Sequence, residues 1–215
     1  MGVDSSEPAS FILPANLLTC CNYPLTYHPN GDEIAKQSVE WLESSCPDLS
    51  TQGRRALLGL QAGNFVAFCY NTASSERLRV VSDFANYLFF LDNISDGMVT
   101  QESDVKTLSE VVMEALSPSD VLMHTTSPEK KRPAEDPVPG KLARDFWARC
   151  IADAGPGMQE RFKEAFKLFF RASHIQAKGR DEGIIPDLET YINLRRDTSA
   201  CKCCWALIER ACNPF

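Results

Sequence analysis

The chain has 215 residues, 44% of them apolar and 24% charged, with a net charge of −7. This composition excludes a disordered chain and suits one domain or a small two-domain globular protein. The acidic balance argues against nucleic acid, whose phosphates need clustered Lys and Arg, but not against a phosphorylated small substrate whose charge metal ions neutralise.

Residues 1–30 read as an irregular N-terminal strap, carrying Phe11-Ile12-Leu13-Pro14 over a helical body at 31–215. The start Met1-Gly2-Val3-Asp4-Ser5-Ser6 has neither the basic nor the apolar region of a secretory signal. Its match to a loose myristoylation pattern reads as coincidence, because no basic cluster follows. No apolar run is long enough to span a membrane. A cytoplasmic protein without stable membrane association is the expectation.

Helical patterning begins after Asn30-Gly31, with Ile34, Ala35, Val39, Trp41 and Leu42 at three- and four-residue spacing, and Pro47 ends it. A second helix is predicted over about 52–70, apolar on much of its circumference and so buried on more than one side. A third spans about 76–98, with Val80, Val81, Phe84, Tyr87, Leu88, Phe89 and Leu91. A modest helix follows at 104–116. Residues 117–140 hold five prolines and the charge cluster Glu129-Lys130-Lys131-Arg132, which reads as a long loop. Helices resume at 141–154 and 158–179, separated by Gly155-Pro156-Gly157. The second of these carries an aromatic stripe, Phe162, Phe166, Phe169 and Phe170, suited to core or to a pocket inside a bundle. The last helical region opens at Asp187 and continues through 201–212. No segment alternates with a strand period, so the fold class is all-α.

Nine cysteines without a secretory signal are expected to be reduced thiols. Cys201, Cys203 and Cys204 resemble part of a zinc site, but no partner ligands sit at zinc spacing. They read as small apolar core residues.

Chemistry concentrates in Phe89-Phe90-Leu91-Asp92-Asn93-Ile94-Ser95-Asp96-Gly97. Residues four apart share a helix face, so Asp92 and Asp96 point the same way from the end of an apolar helix. Paired carboxylates suit Mg²⁺, which takes oxygen ligands and fills its remaining positions with water and substrate phosphates.

Three features carry a resemblance: Leu91-Asp92-Asn93-Ile94-Ser95-Asp96, the segment Ile185-Pro186-Asp187 through Arg195-Arg196-Asp197-Thr198-Ser199, and the opening Phe11-Ile12-Leu13-Pro14. Their order and spacing resemble the class I terpene cyclases of fungal type, most closely the sesquiterpene synthases of mushroom-forming (basidiomycete) fungi. The resemblance implies an all-α helical barrel or bundle, a carbon–oxygen lyase of fungal secondary metabolism, and farnesyl diphosphate as substrate. It implies three Mg²⁺ ions, with Mn²⁺ as a substitute. Asp92 matches the principal metal ligand and Asp96 the last acid of the motif. Asn93 stands where many members carry a carboxylate, and offers an oxygen without charge. Arg196 matches the arginine that senses diphosphate, and a guanidinium fork bonds phosphate oxygens bidentately. Asp197 matches the linker between sensor and effector. Ala200 falls on the effector position, where the family usually has Gly in a helix break that pushes a backbone carbonyl toward the substrate cation; Ala tolerates such a break less well. Phe89 and Phe65 are the aromatic faces expected to stabilise that cation.

The family's second metal motif, N-D-x-x-S-x-x-x-E, matches nowhere in the 215 residues. The sequence therefore reads as a C-terminally truncated synthase. Expressed alone, it is expected to be poorly soluble and to make no terpene, because the inward aromatic faces of the helices at 52–70, 76–98 and 158–179 would meet water. The alternatives are a catalytically inactive remnant and a helical interaction protein.

Overall fold

The computed structural model describes residues 12, 19, 21–97, 102–117 and 137–211. Among these the chain is helical, with no strand. The elements are α1 (Gly31–Ser45), α2 (Thr51–Leu60), α3 (Ala62–Cys69), α4 (Ser75–Gly97), α5 (Glu102–Ala115), α6 (Val138–Ile151), α7 (Pro156–Asp181), α8 (Leu188–Thr198) and α9 (Cys201–Ala211). Of the segment Phe11-Ile12-Leu13-Pro14 only Ile12 is described, and it is exposed. The rest of it, and the charge cluster at 129–132, lie outside the described residues.

α4 is the central element. Leu78, Val81, Phe84, Tyr87 and Leu91 are all but fully buried, and the helix packs against α1, α3, α6 and α9. α7 packs against α5, α8 and α9. Phe84 sits among Phe146, Phe162 and Phe166, with ring centroids 5.2, 5.1 and 5.8 Å away. Trp147 stacks on Phe162 at 5.1 Å. Edge and tilted contacts of this kind add to simple burial. The aromatic stripe of α7 is therefore core: Phe162, Phe166, Phe169 and Phe170 are all buried. This corrects the expectation that the faces of α4 and α7 would be open to water. The helices before them do expose aromatics, Phe65 and Phe68 on α3.

The single helix expected at 52–70 is two. Gln61 adopts φ 48, a left-handed conformation, between α2 and α3. The reason lies one turn on. A Cβ on Gly63 would stand 2.6 Å from the Ala35 Cα, so α3 crosses α1 with backbones nearly touching. Reaching that crossing requires a change of direction that a continuous helix cannot make. α2 keeps only Leu57 buried.

The helix ends follow from their sequences. Ser50 caps α2 by accepting the Gly53 N–H at 3.0 Å. Pro139 and Pro156 sit in the first turns of α6 and α7, where a missing N–H costs nothing. α6 thus begins inside the segment expected to be loop. α7 ends in a Schellman motif: Gly183 at φ 65 donates to Arg180, and Ile184 donates to Gly179 at 2.8 Å.

A carboxylate is buried at the centre. Asp83, fully inaccessible, accepts from Arg79 at 2.8 Å and Arg149 at 2.5 Å. Burial pushes its carboxyl upward, while hydrogen bonds from Arg79, Ser38 and Arg149 pull it back. Arg149 also bonds Asp145 at 2.7 Å and lies over the Trp41 ring. The network ties α1, α4 and α6 together.

Candidate active site

The first half of the site is the last two turns of α4. Asp92 and Asn93 are both exposed there, directly after the buried Leu91. Asp96 lies in the same helix, and its side chain is outside the described residues. The last turn carries no basic residue. Phe89 is half-buried against the core. Phe65 is 63% exposed on α3.

The second half is the α8–α9 junction. Asp187 caps α8 by accepting the Thr190 N–H at 2.7 Å, and that bond holds its carboxyl below the usual range. No residue of α8 is buried; the helix lies against α7 and α9. Arg195 and Arg196 occupy its last turn, where cations suit the helix dipole. Arg196 Nη1 donates to Asn193 Oδ1 at 3.0 Å, which orients the guanidinium. Asp197 Oδ1 accepts from Lys202 Nζ at 2.5 Å, across the junction. Between them Ala200, 2% exposed, adopts φ 53. The helix breaks at this residue even though it carries a Cβ, with Ala200 N–H donating to the Asp197 carbonyl at 3.1 Å. The Ala200 carbonyl itself accepts the Cys203 and Cys204 N–H groups at 3.0 and 3.4 Å and so starts α9.

α9 links the two halves, since it packs on both α4 and α8. The Tyr70 hydroxyl, just past α3, donates to the Cys204 carbonyl at 2.8 Å and fixes its first turn. Among the described residues no three His, Cys, Asp or Glu side chains stand together as a metal site. A groove of about 420 Å³ runs between the end of α7 and α8, lined by Ile175, Ile184, Tyr191, Leu194 and Arg195 among others. It borders Arg195, whereas the motif arginine is Arg196. Sequence reasoning missed Lys202, Asn193 and Tyr70. Asn193 and Arg196 are three apart, a spacing that could have flagged them. Lys202 is five residues from Asp197, a spacing with no helical meaning until the break is known.

Residues 83–215 match the family described as terpene synthase family 2, C-terminal metal binding. The chain belongs to this terpene synthase family. It is 60% identical over 206 residues to alpha-muurolene synthase from Coprinopsis cinerea, covering 95% of this chain and 47% of that protein. It is 60% identical over 207 residues to sesquiterpene synthase Agr3 from Cyclocybe aegerita, covering 96% and 57%. The chain thus spans about half the length of the curated relatives it matches. Among solved structures, germacradien-4-ol synthase from Streptomyces citricolor superposes with a TM-score of 0.71 at 22% identity, covering 89% of this chain and 60% of that one. That likeness shows a class I terpene synthase fold. No helix among the described residues is long and apolar enough to cross a membrane.

Proposed function

We propose that this chain carries the diphosphate-sensing part of a Mg²⁺-dependent sesquiterpene synthase, with farnesyl diphosphate as the substrate. The observation that carries the reading is the left-handed break at Ala200 directly after Arg196-Asp197. An alanine is held there at a cost, and the break joins a diphosphate-binding arginine to the helix that packs on α4. The donor chemistry fits the metal: Asp92 and Asn93 present oxygens at an exposed helix end, and Mg²⁺ takes its remaining ligands from water and phosphate. Bound there, Mg²⁺ would supply charge neutralisation for a departing diphosphate.

The roles of the chain's own residues follow from their positions. Arg196, steadied by Asn193, binds phosphate oxygens through its fork. Asp197 holds Lys202 against the turn, so a movement of Arg196 is passed to Ala200 and the start of α9. Charge that develops on the leaving group meets fixed cationic donors. Phe89 and Phe65 are the candidate aromatic faces for the allylic cation, and Asp96 completes the acidic motif.

The test is calorimetric titration of the purified chain with inorganic diphosphate, with and without Mg²⁺. Binding should require Mg²⁺ and weaken at least tenfold in Asp92→Ala and in Arg196→Ala. Farnesyl diphosphate should compete for the same site better than the shorter geranyl diphosphate. Binding that ignores Mg²⁺ and survives both substitutions would sink the reading.

A further inference from the structure

We propose that Cys201 and Cys204 form a dithiol modification site that closes to a disulfide by exchange with small-molecule disulfides. The pair occupies the first turn of α9, at positions one and four of the helix. Residues three apart in a helix have Cα atoms about 5 Å apart, inside the range of roughly 4.4–6.8 Å that a disulfide spans. Cys203 cannot replace either partner: it is fully buried and two residues from Cys201, on another face.

The two thiols differ in the way such exchange needs. Cys201 is exposed on the first turn of α9 and is open to attack on a small-molecule disulfide. Cys204 is half-buried, and burial pushes its thiol up to about 11. The Cys201 and Cys69 thiols act on it in the same direction. The Tyr70 bond to the Cys204 carbonyl holds α3 beside them.

The exchange balances with glutathione disulfide as oxidant. Cys201 thiolate attacks one sulfur, and glutathione thiolate leaves with the electron pair of the broken S–S bond and takes up a proton. Cys204 gives its proton to solvent and attacks the Cys201 sulfur, releasing the second glutathione. Two protein thiols lose two electrons in total, and one disulfide becomes two thiols.

The turn that closes is the one that carries Lys202, the partner of Asp197, and it accepts its first helical bonds at Ala200. Oxidation therefore fixes the geometry just after the break. That consequence rests on the diphosphate-sensing reading above; the disulfide itself does not.

Trypsin cuts after Arg196, Lys202 and Arg210, so a Cys201–Cys204 bond joins two peptides, 197–202 and 203–210. After incubation with glutathione disulfide, mass spectrometry should find them linked through Cys204 and separated by reduction. Cys201→Ser, at an exposed position, should abolish the link and leave the fold unchanged by circular dichroism. A stable glutathione adduct on Cys201, a link to Cys203, or a Cys69–Cys204 bond would overturn the assignment. The oxidised protein should also bind diphosphate with Mg²⁺ at least tenfold more weakly than the reduced one. Equal binding by the two forms would overturn the coupling to the sensor. Absence of diphosphate binding in the reduced form would count against the sensing reading, and not against the disulfide.

Discussion

Ala200 offers a test in which two conformations make different forecasts. If the residue sits at φ 53, Ala200→Gly relieves a left-handed placement that costs about 1–2 kcal/mol. Against this stand the loss of one buried methyl, about 0.8 kcal/mol, and the greater freedom of an unfolded glycine, about 0.5–1 kcal/mol. The terms nearly cancel, so Ala200→Gly should change stability by no more than about 1 kcal/mol. Ala200→Val is different. A β-branched residue is rarely found at positive φ, and at 2% exposure its added methyls meet packed neighbours, for a further cost of about 1–3 kcal/mol. Valine should therefore be the worse of the two by about 2 kcal/mol or more. In an unbroken helix glycine alone would cost about 1 kcal/mol with a buried methyl lost besides, so Ala200→Gly would fall by about 2 kcal/mol rather than stay near neutral. Urea unfolding followed by circular dichroism, with the slope unchanged, reads the difference. A loss of about 2 kcal/mol or more in Ala200→Gly would refute the break, and with it the observation that carries the proposed function.

Two further outcomes concern the scaffold. Asp83→Ala removes the shared acceptor of Arg79 and Arg149 at a fully buried position and should cost about 3–5 kcal/mol in chemical denaturation; a loss below about 1 kcal/mol would show that the network is not formed. Asp187 has its folded carboxyl lowered by the Thr190 N–H, so its contribution is present above the ordinary carboxylate range and is lost as pH falls through the lowered value. Hydrogen exchange at Thr190, corrected for the intrinsic rate, should lose protection on acidification in the wild type and be unprotected throughout in Asp187→Ala. Protection that survives in the variant would remove Asp187 as the cap.

The all-α class was legible because apolar residues recur at three and four along nearly every helix, and the core positions of α4 and α7 follow that period. The division at Gln61 was not legible. Glutamine is a good helix former, and its left-handed backbone comes from the close approach of Gly63 to Ala35, which is a tertiary fact. The start of α6 was misread for a local reason: Pro139 looks like a loop residue but is tolerated in a first turn. The aromatic stripe of α7 read equally well as core or pocket, because both present the same inward face; packing against Phe84 and Phe146 decides for core. In the site, Asp92, Arg196, Asp197 and Ala200 could be named from motif wording. Lys202 could not, since its pairing with Asp197 depends on a break that reorients the chain between them.

The proposed role of these residues rests on where the chain departs from local preference. Natural sequences mostly agree with their structures at every level, and the exceptions gather at functional or strained positions. Two non-glycine residues among those described take a left-handed backbone, Gln61 and Ala200. Gln61 is accounted for by packing, because the turn there delivers α3 onto α1. The turn at Ala200 separates Arg196-Asp197 from the helix packed on α4. The end of α4 carries Asp92 and Asp96, with no basic residue in its last turn. Arg195 and Arg196 conform to the dipole and by themselves argue nothing. On the proposed reading, a ligand carrying both a divalent cation and phosphate oxygens would meet the left-handed break through its phosphate and the acidic end of α4 through its cation.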